Sequence, residues 1–194
     1  MKMKFLEIKF LVETKMSADP KRWRHVEGTV RMAEQLAIAN NVDREKAMIA
    51  AVLHDAAKGE KSEDLLIRIH RQFGSFPVEK YPRKIWHAMA GVDYAREEIG
   101  IEDADILNAI LFHTTGRENM STLEKIVFVS DYLEETRAYA DATLRKMAYV
   151  DLNKTAEIIL KRKRAYVESL HCEAVSLKDD MAFPRPSLSE KGGN

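Results

Sequence analysis

Apolar residues recur along this chain at intervals of three and four, the repeat of one helix face. No stretch alternates strictly between apolar and polar, as a half-buried strand would. The pattern predicts a first helix from Lys4 to Met16 and a second from Pro20, at a first helical position, to Ala39, where Asn40-Asn41 stop it. A third helix starts after Asp43 as N-cap and reaches the doublet His54-Asp55. Ser62 caps a fourth, to about Gln72, and Glu63 and Asp64 suit its positive end. Gly74 to Pro82 reads as a loop. A fifth helix runs from about Arg83 to Glu98, ahead of Gly100. Asp103 or Asp105 opens a sixth, which ends near His113 and is broken by Thr114-Thr115-Gly116. Ser121-Thr122-Leu123-Glu124 has the form of a capping box and opens a seventh, which carries Asp131. One long helical stretch follows from Ala142 to Leu170, and a Pro-, Gly- and Ser-rich tail from Lys178. The expected architecture is an all-α single helical globule. Residues 1–17 form an N-terminal helix packed on the domain, 18–177 form the domain, and 178–194 form a poorly ordered tail.

Composition narrows the class. With 194 residues the chain can bury a substantial core in one domain. Apolar residues make up 45% and charged residues 32%, a soluble, globular balance. Lys and Arg together equal Asp and Glu at 31 each, so no overall field points to nucleic acid or a membrane. Cys172 is the one cysteine, which makes a reducing, cytoplasmic setting the default. No apolar run approaches the ~20 residues that span a bilayer. The first helix, interrupted by Glu7, Lys9 and Glu13, reads as amphipathic rather than as a signal peptide, and could cover the core or form a dimer contact.

The candidate chemistry lies on the apolar faces. His54 and Asp55 end the alanine-rich run Ala50-Ala51-Val52-Leu53. His25 shares a face with Thr29, Met32 and Leu36, and His113 follows Ile106, Ala109 and Ile110. Asp131 follows Leu123 and Val127, and His87 precedes Ala90 and Gly91. Five helices thus each aim a His or Asp inward, whereas His70 and His171 look peripheral. Taken singly, each histidine reads as a core residue bonded to a carbonyl. Together with buried carboxylates they call for a cation, because unpaired buried charge costs several kcal/mol. Mixed nitrogen and oxygen ligation suits Fe, Mn, Co or Zn, and without Cys ligands the set does not read as structural zinc. No Gly-rich phosphate loop or dinucleotide fingerprint is present.

His…His-Asp…Asp spread over separate helices resembles the HD superfamily of metal-dependent phosphohydrolases. Arg22-Trp23-Arg24-His25-Val26, His54-Asp55-Ala56-Ala57-Lys58, Trp86-His87-Ala88, His113-Thr114-Thr115-Gly116-Arg117 and Leu123 to Glu134 are similar to its YqeK-type branch, the symmetrical bis(5'-nucleosyl)-tetraphosphatases. The resemblance covers Arg22 to Arg137 and makes 18–177 an HD phosphohydrolase domain. It implies a hydrolase that splits diadenosine tetraphosphate into two molecules of adenosine diphosphate, with one or two divalent ions, iron first among them. It implies metal ligation by His25, His54, Asp55 and Asp131. His87 and His113 match pocket positions that contact phosphate, and Arg22, Trp86 and Arg137 match positions lining the substrate site. On this basis Asp55 would also orient the attacking water, Lys58 would neutralise phosphate charge, and His87 or His113 would donate to the developing oxyanion. Arg117 and Arg137 would hold distal phosphates. The chain departs from the branch at Leu133-Glu134-Glu135-Thr136-Arg137, where Glu135 adds an acid, and at Ala174 to Met181, where the segment that reaches the base is not recognisable.

Other readings are an HD hydrolase of nucleoside monophosphates or guanosine tetraphosphate, and a non-catalytic nucleotide-binding sensor. The basic run Lys161-Arg162-Lys163-Arg164 reads as a solvated helix face rather than a nucleic-acid site, and Cys172 as structural.

Overall fold

The computed structural model describes residues 3–137 and 141–169, with side chains followed to residue 165 in the last helix. Among these residues the chain forms nine helices and no strand: α1 (Phe5–Lys15), α2 (Pro20–Ala39), α3 (Arg44–Leu53), α4 (Ser62–Phe73), α5 (Trp86–Glu97), α6 (Ala104–Phe112), α7 (Thr122–Leu133), α8 (Ala142–Ala148) and α9 (Leu152–Ser169). Cys172, His171, the Ala174 to Met181 segment and the expected tail lie outside the described residues.

Short polar side chains set the helix starts. The Asp19 carboxylate accepts the Arg22 N–H at 3.0 Å, Asp43 accepts that of Lys46 at 3.0 Å, and Asp103 accepts those of Asp105 and Ile106. Ser121 accepts the Glu124 N–H at 3.2 Å. Three expectations change. Ser62 is the first residue of α4, and the cap position falls on Lys61. The loop before α5 holds a 3-10 turn at Val78–Lys80, and Arg83–Ile85 form a second one ahead of α5 proper. The long C-terminal helix is two helices. Asp151 restarts the chain, its carboxylate taking the Lys154 N–H at 2.9 Å and its carbonyl taking both the N–H and the hydroxyl of Thr155.

The core is built around α5 and α7. Every residue from His87 to Ala95 of α5 is buried, and α7 is buried at Leu123, Ile126, Val127, Phe128, Val129, Ser130 and Leu133. A helix buried all round must be enclosed by neighbours. Helix α5 lies against α4 and α6, α7 lies against α2, α3, α6 and α9, and α8 packs on α9. Small residues permit the close fit. A Cβ on Gly91 would stand 3.3 Å from Ile110 Cγ2 and 3.9 Å from the Leu53 carbonyl, so α5 passes directly beside the end of α3. Helix α1 covers the core through Ile8, Val12 and Met16, four residues apart, and packs on α3. Each of those aliphatic side chains stabilises the contact by ~1.5–3 kcal/mol. Its Leu6 and Phe10 face outward. No helix among the described residues is long and apolar enough to cross a membrane.

Candidate metal centre

Six side chains from α2, α3, α5, α6 and α7 converge where three helices end. His54 is the residue that terminates α3, His113 the one that terminates α6, and Asp131 lies in the last turn of α7. A helix C-terminus carries partial negative charge, so three of them gathered at one place favour a cation. Protein cations already answer carbonyls at the ends of α6 and α7. Lys163 donates to Thr114 O at 2.8 Å, Arg145 to Leu133 O at 2.7 Å and Arg137 to Asp131 O at 3.1 Å.

Terminating a helix at histidine also orients the ring. His54 Nδ1 lies 2.6 Å from Ala51 O, and His113 Nδ1 lies 2.7 Å from Ile110 O. A carbonyl can only accept, so Nδ1 carries the proton in both rings and the Nε2 lone pair faces the centre. His25, His54 and Asp131 form one group of potential ligands, and His54, Asp55 and His113 a second, the donor atoms of each within 4.8 Å of one another. His25 Nε2 is 3.3 Å from His54 Nε2 and 3.1 Å from Asp131 Oδ1, and His54 Nε2 is 3.8 Å from Asp131 Oδ1 and from Asp55 Oδ2. Metal bonds of ~2.1 Å imply ligand-to-ligand edges of ~3.0–3.4 Å. The donor set therefore fits a divalent ion with modest contraction. His54 belongs to both groups. Asp55 extends the second, its Oδ1 lying 3.2 Å from His87 Nε2 and 3.6 Å from His113 Nε2.

The electrostatics agree with a ligand set. Burial pushes the imidazolium of His54 down to about 3 and that of His87 down to about 4, so both are neutral at neutral pH. Burial opposes ionisation of Asp55 and Asp131 too. The imidazoles of His54, His113 and His87 outweigh it at Asp55, as the His25 bond does at Asp131, and both carboxyls stay well below the ordinary range. Burial likewise lowers His25, but its bond to Asp131 and the charge there prevail, and the net shift is upward.

Three cations stand at the rim, their side chains about a third exposed. Arg22 Nη1 donates to Asp55 Oδ2 at 2.7 Å, Lys58 Nζ lies 3.2 Å from His87 Nε2, and Arg137 Nη2 donates to Asp131 Oδ1 at 2.6 Å. Nine of the eleven residues expected at the site are thus neighbours. Two are not in this cluster. The resemblance implies that Arg117 holds distal phosphate. Arg117 is buried instead, forked onto the Glu124 carboxylate at 2.7 and 2.8 Å and stacked 4.5 Å over the Phe112 ring. Trp86 donates its indole N–H to Tyr81 O at 2.9 Å and packs half-buried against the hydrophobic core. The added acid Glu135 turns outward and pairs with Arg31 of α2.

Sequence reasoning missed three members. Glu134 is buried and meets His25 Nδ1 at 3.0 Å. Thr114 Oγ1 donates to His113 Nε2 at 2.9 Å. Lys163 belongs to the basic run read as a solvated face. Lys161, Arg162 and Arg164 are indeed exposed, but Lys163 turns inward over the Phe128 ring, and burial pushes its ammonium down to about 8. Its position four residues after buried Ile159 and seven after buried Ala156 was the available signal.

Comparison with known proteins places this arrangement. The HD domain model matches residues 22–136. The symmetrical bis(5'-nucleosyl)-tetraphosphatase of Halalkalibacterium halodurans is 41% identical over 133 residues, 68% of this chain and 71% of that protein. The enzyme of the same name from Bacillus subtilis is 38% identical over 134 residues, 69% of this chain and 72% of that protein. A solved structure from Clostridium acetobutylicum, described as a predicted HD superfamily hydrolase involved in NAD metabolism, superposes with a TM-score of 0.78 at 32% identity, over 93% of this chain and 94% of that one. Matched through the span that carries all six converging side chains, the chain belongs to the HD-domain family.

Proposed function

We propose that this protein is a divalent-metal-dependent hydrolase that splits diadenosine tetraphosphate symmetrically into two molecules of adenosine diphosphate. One observation carries the reading. Two imidazole and carboxylate groups share His54 and bring in Asp55 and Asp131, with Arg22, Lys58 and Arg137 at the rim, a cluster that fits metal on one side and polyphosphate on the other. The relatives that share this span are named for that reaction.

His25, His54, Asp55 and Asp131 would hold the ion, with His87 and His113 available to a second beside Asp55. Iron is the proposed metal, and Mn, Co and Zn suit the same donors. When bound, a divalent cation supplies Lewis acidity that lowers the pKa of water from 15.7 towards ~7. The residues supply the rest. Asp55 accepts a hydrogen bond from the attacking water and holds it in line. Lys58 and Arg137 neutralise the phosphates, and His87 and Thr114 fix the position of His113. Because adenosine diphosphate is a fair leaving group, positioning and charge neutralisation account for most of the catalysis. The single cysteine keeps a reducing, cytoplasmic setting as the companion proposal, and a homodimer is one assembly compatible with the outward-facing Leu6 and Phe10.

Metal-loaded protein incubated with diadenosine tetraphosphate should release adenosine diphosphate alone. Release of adenosine triphosphate with monophosphate, or of orthophosphate, would overturn the reading, as would tight binding without turnover. His54→Ala and Asp131→Ala should each abolish turnover with helical content retained.

A further inference from the structure

His25 differs from the other two inward-facing ligand histidines in a way the fold explains. His54 and His113 end their helices, so the carbonyls of Ala51 and Ile110 are within reach of their ring N–H groups. His25 lies inside α2, whose carbonyls serve the helix itself. Its Nδ1 instead meets Glu134 Oε1, just beyond the end of α7, at 3.0 Å. Arg137 Nη2 lies 3.1 Å from His25 Nε2, and a guanidinium can only donate. Asp131 Oδ1, an acceptor, stands equally close to Nε2 at 3.1 Å. For His25 to bind metal, Nε2 must offer its lone pair, which leaves the proton on Nδ1, facing Glu134.

Glu134 is itself held. The Thr136 N–H donates to Oε2 and the Thr136 hydroxyl to Oε1, both at 2.6 Å, and Arg137 Nε stands 3.8 Å from Oε1. The carboxylate fits because residue 28 has no side chain. A Cβ there would fall 2.3 Å from Glu134 Oε2 and 3.1 Å from its carboxyl carbon. Gly28 sits in mid-helix, where glycine costs about 1 kcal/mol relative to alanine, so its presence needs a reason other than helix formation.

We infer that Glu134 is a positioning residue for His25, seated in a notch left by Gly28, and that the pair fixes the tautomer with which His25 binds metal. The inference rests on the metal-centre reading above. A carboxylate behind a ligating imidazole orients the ring and raises its basicity, and loss of such a partner weakens metal binding by about 10- to 100-fold. Gly28→Ala should have the same effect while favouring the helix, because the new methyl displaces the carboxylate.

The test uses the full chain, with Mn2+ as the probe ion in competition with a chelator and nitrogen NMR of the imidazoles in metal-free protein at alkaline pH. Glu134→Ala and Gly28→Ala should each weaken Mn2+ binding about 10- to 100-fold and abolish the Nδ1–H preference of His25. Glu134→Gln, whose amide oxygen still accepts, should restore the tautomer and much of the affinity. Melting curves separate this from misfolding, since Gly28→Ala should melt no lower than the parent. Unchanged affinity and an unchanged His25 tautomer in Glu134→Ala would overturn the inference. Failure of the parent protein itself to bind Mn2+, with the tautomer still dependent on Glu134, would instead remove the metal reading and leave the positioning role standing.

Discussion

Neutral imidazoles dominate the site at the scale of single residues. An unfolded histidine titrates near 6.5, whereas burial brings His54 down to about 3 and His87 down to about 4. As pH falls, the unfolded chain takes up protons first. Their contribution to stability is therefore complete above 6.5 and is lost progressively as pH drops towards those folded-state values. His25, shifted upward, contributes with the opposite sign, its share being lost as pH rises through its folded-state value. The carboxyls of Asp55 and Asp131, held low, add a further loss only under more acidic conditions. Chelator-treated protein should accordingly melt several degrees lower at about pH 5 than at about pH 7. His87→Gln should shrink that difference. Identical melting at the two pH values would mean that the imidazoles are solvated. The positions of these residues were legible because inward-facing histidines follow the helical repeat. Glu134 was not, because its role depends on the empty space over Gly28, and a missing side chain leaves no periodic mark.

The elements show a different division. Helices α2, α3, α6 and α7 announce themselves through Asp19, Asp43, Asp103 and Ser121, caps that act locally and so can be read locally. The break between α8 and α9 was passed over because apolar spacing continues through Tyr149-Val150, although Val150 is almost fully exposed. There the Asp151 cap overrides the pattern. Asp151→Ala should cost about 1 kcal/mol in urea unfolding, and Asp151→Asn much less. Because α9 also carries Lys163 onto the Thr114 carbonyl, fraying its start should slow turnover modestly as well. An alanine variant as stable as the parent would show that helix propensity alone sets the boundary. Arg117 teaches the converse lesson. Its neighbourhood in sequence pointed to phosphate, but Glu124, seven residues on, takes it into the core, and that choice is made by the packing of α6 against α7.

For the whole molecule, the six converging side chains come from residues 25 to 131 and from five helices, while α1, α4, α8 and α9 contribute none of the six. The ends of α3, α6 and α7 are brought together only by the finished packing, so no fragment shorter than this span holds the full set. A ligand that binds only the native arrangement stabilises it by mass action. Adding a divalent ion should therefore raise the hydrogen-exchange protection of α2, α3, α5, α6 and α7 together, by one common increment, and leave that of α1 much as it was. Unequal increments among the five would mean that they can open separately. If they rise in step, the ion does more than equip the site: it converts a set of neighbouring helices into one cooperative unit, whose opening is all or none and whose exchange rate becomes a gauge of how much of the protein is loaded.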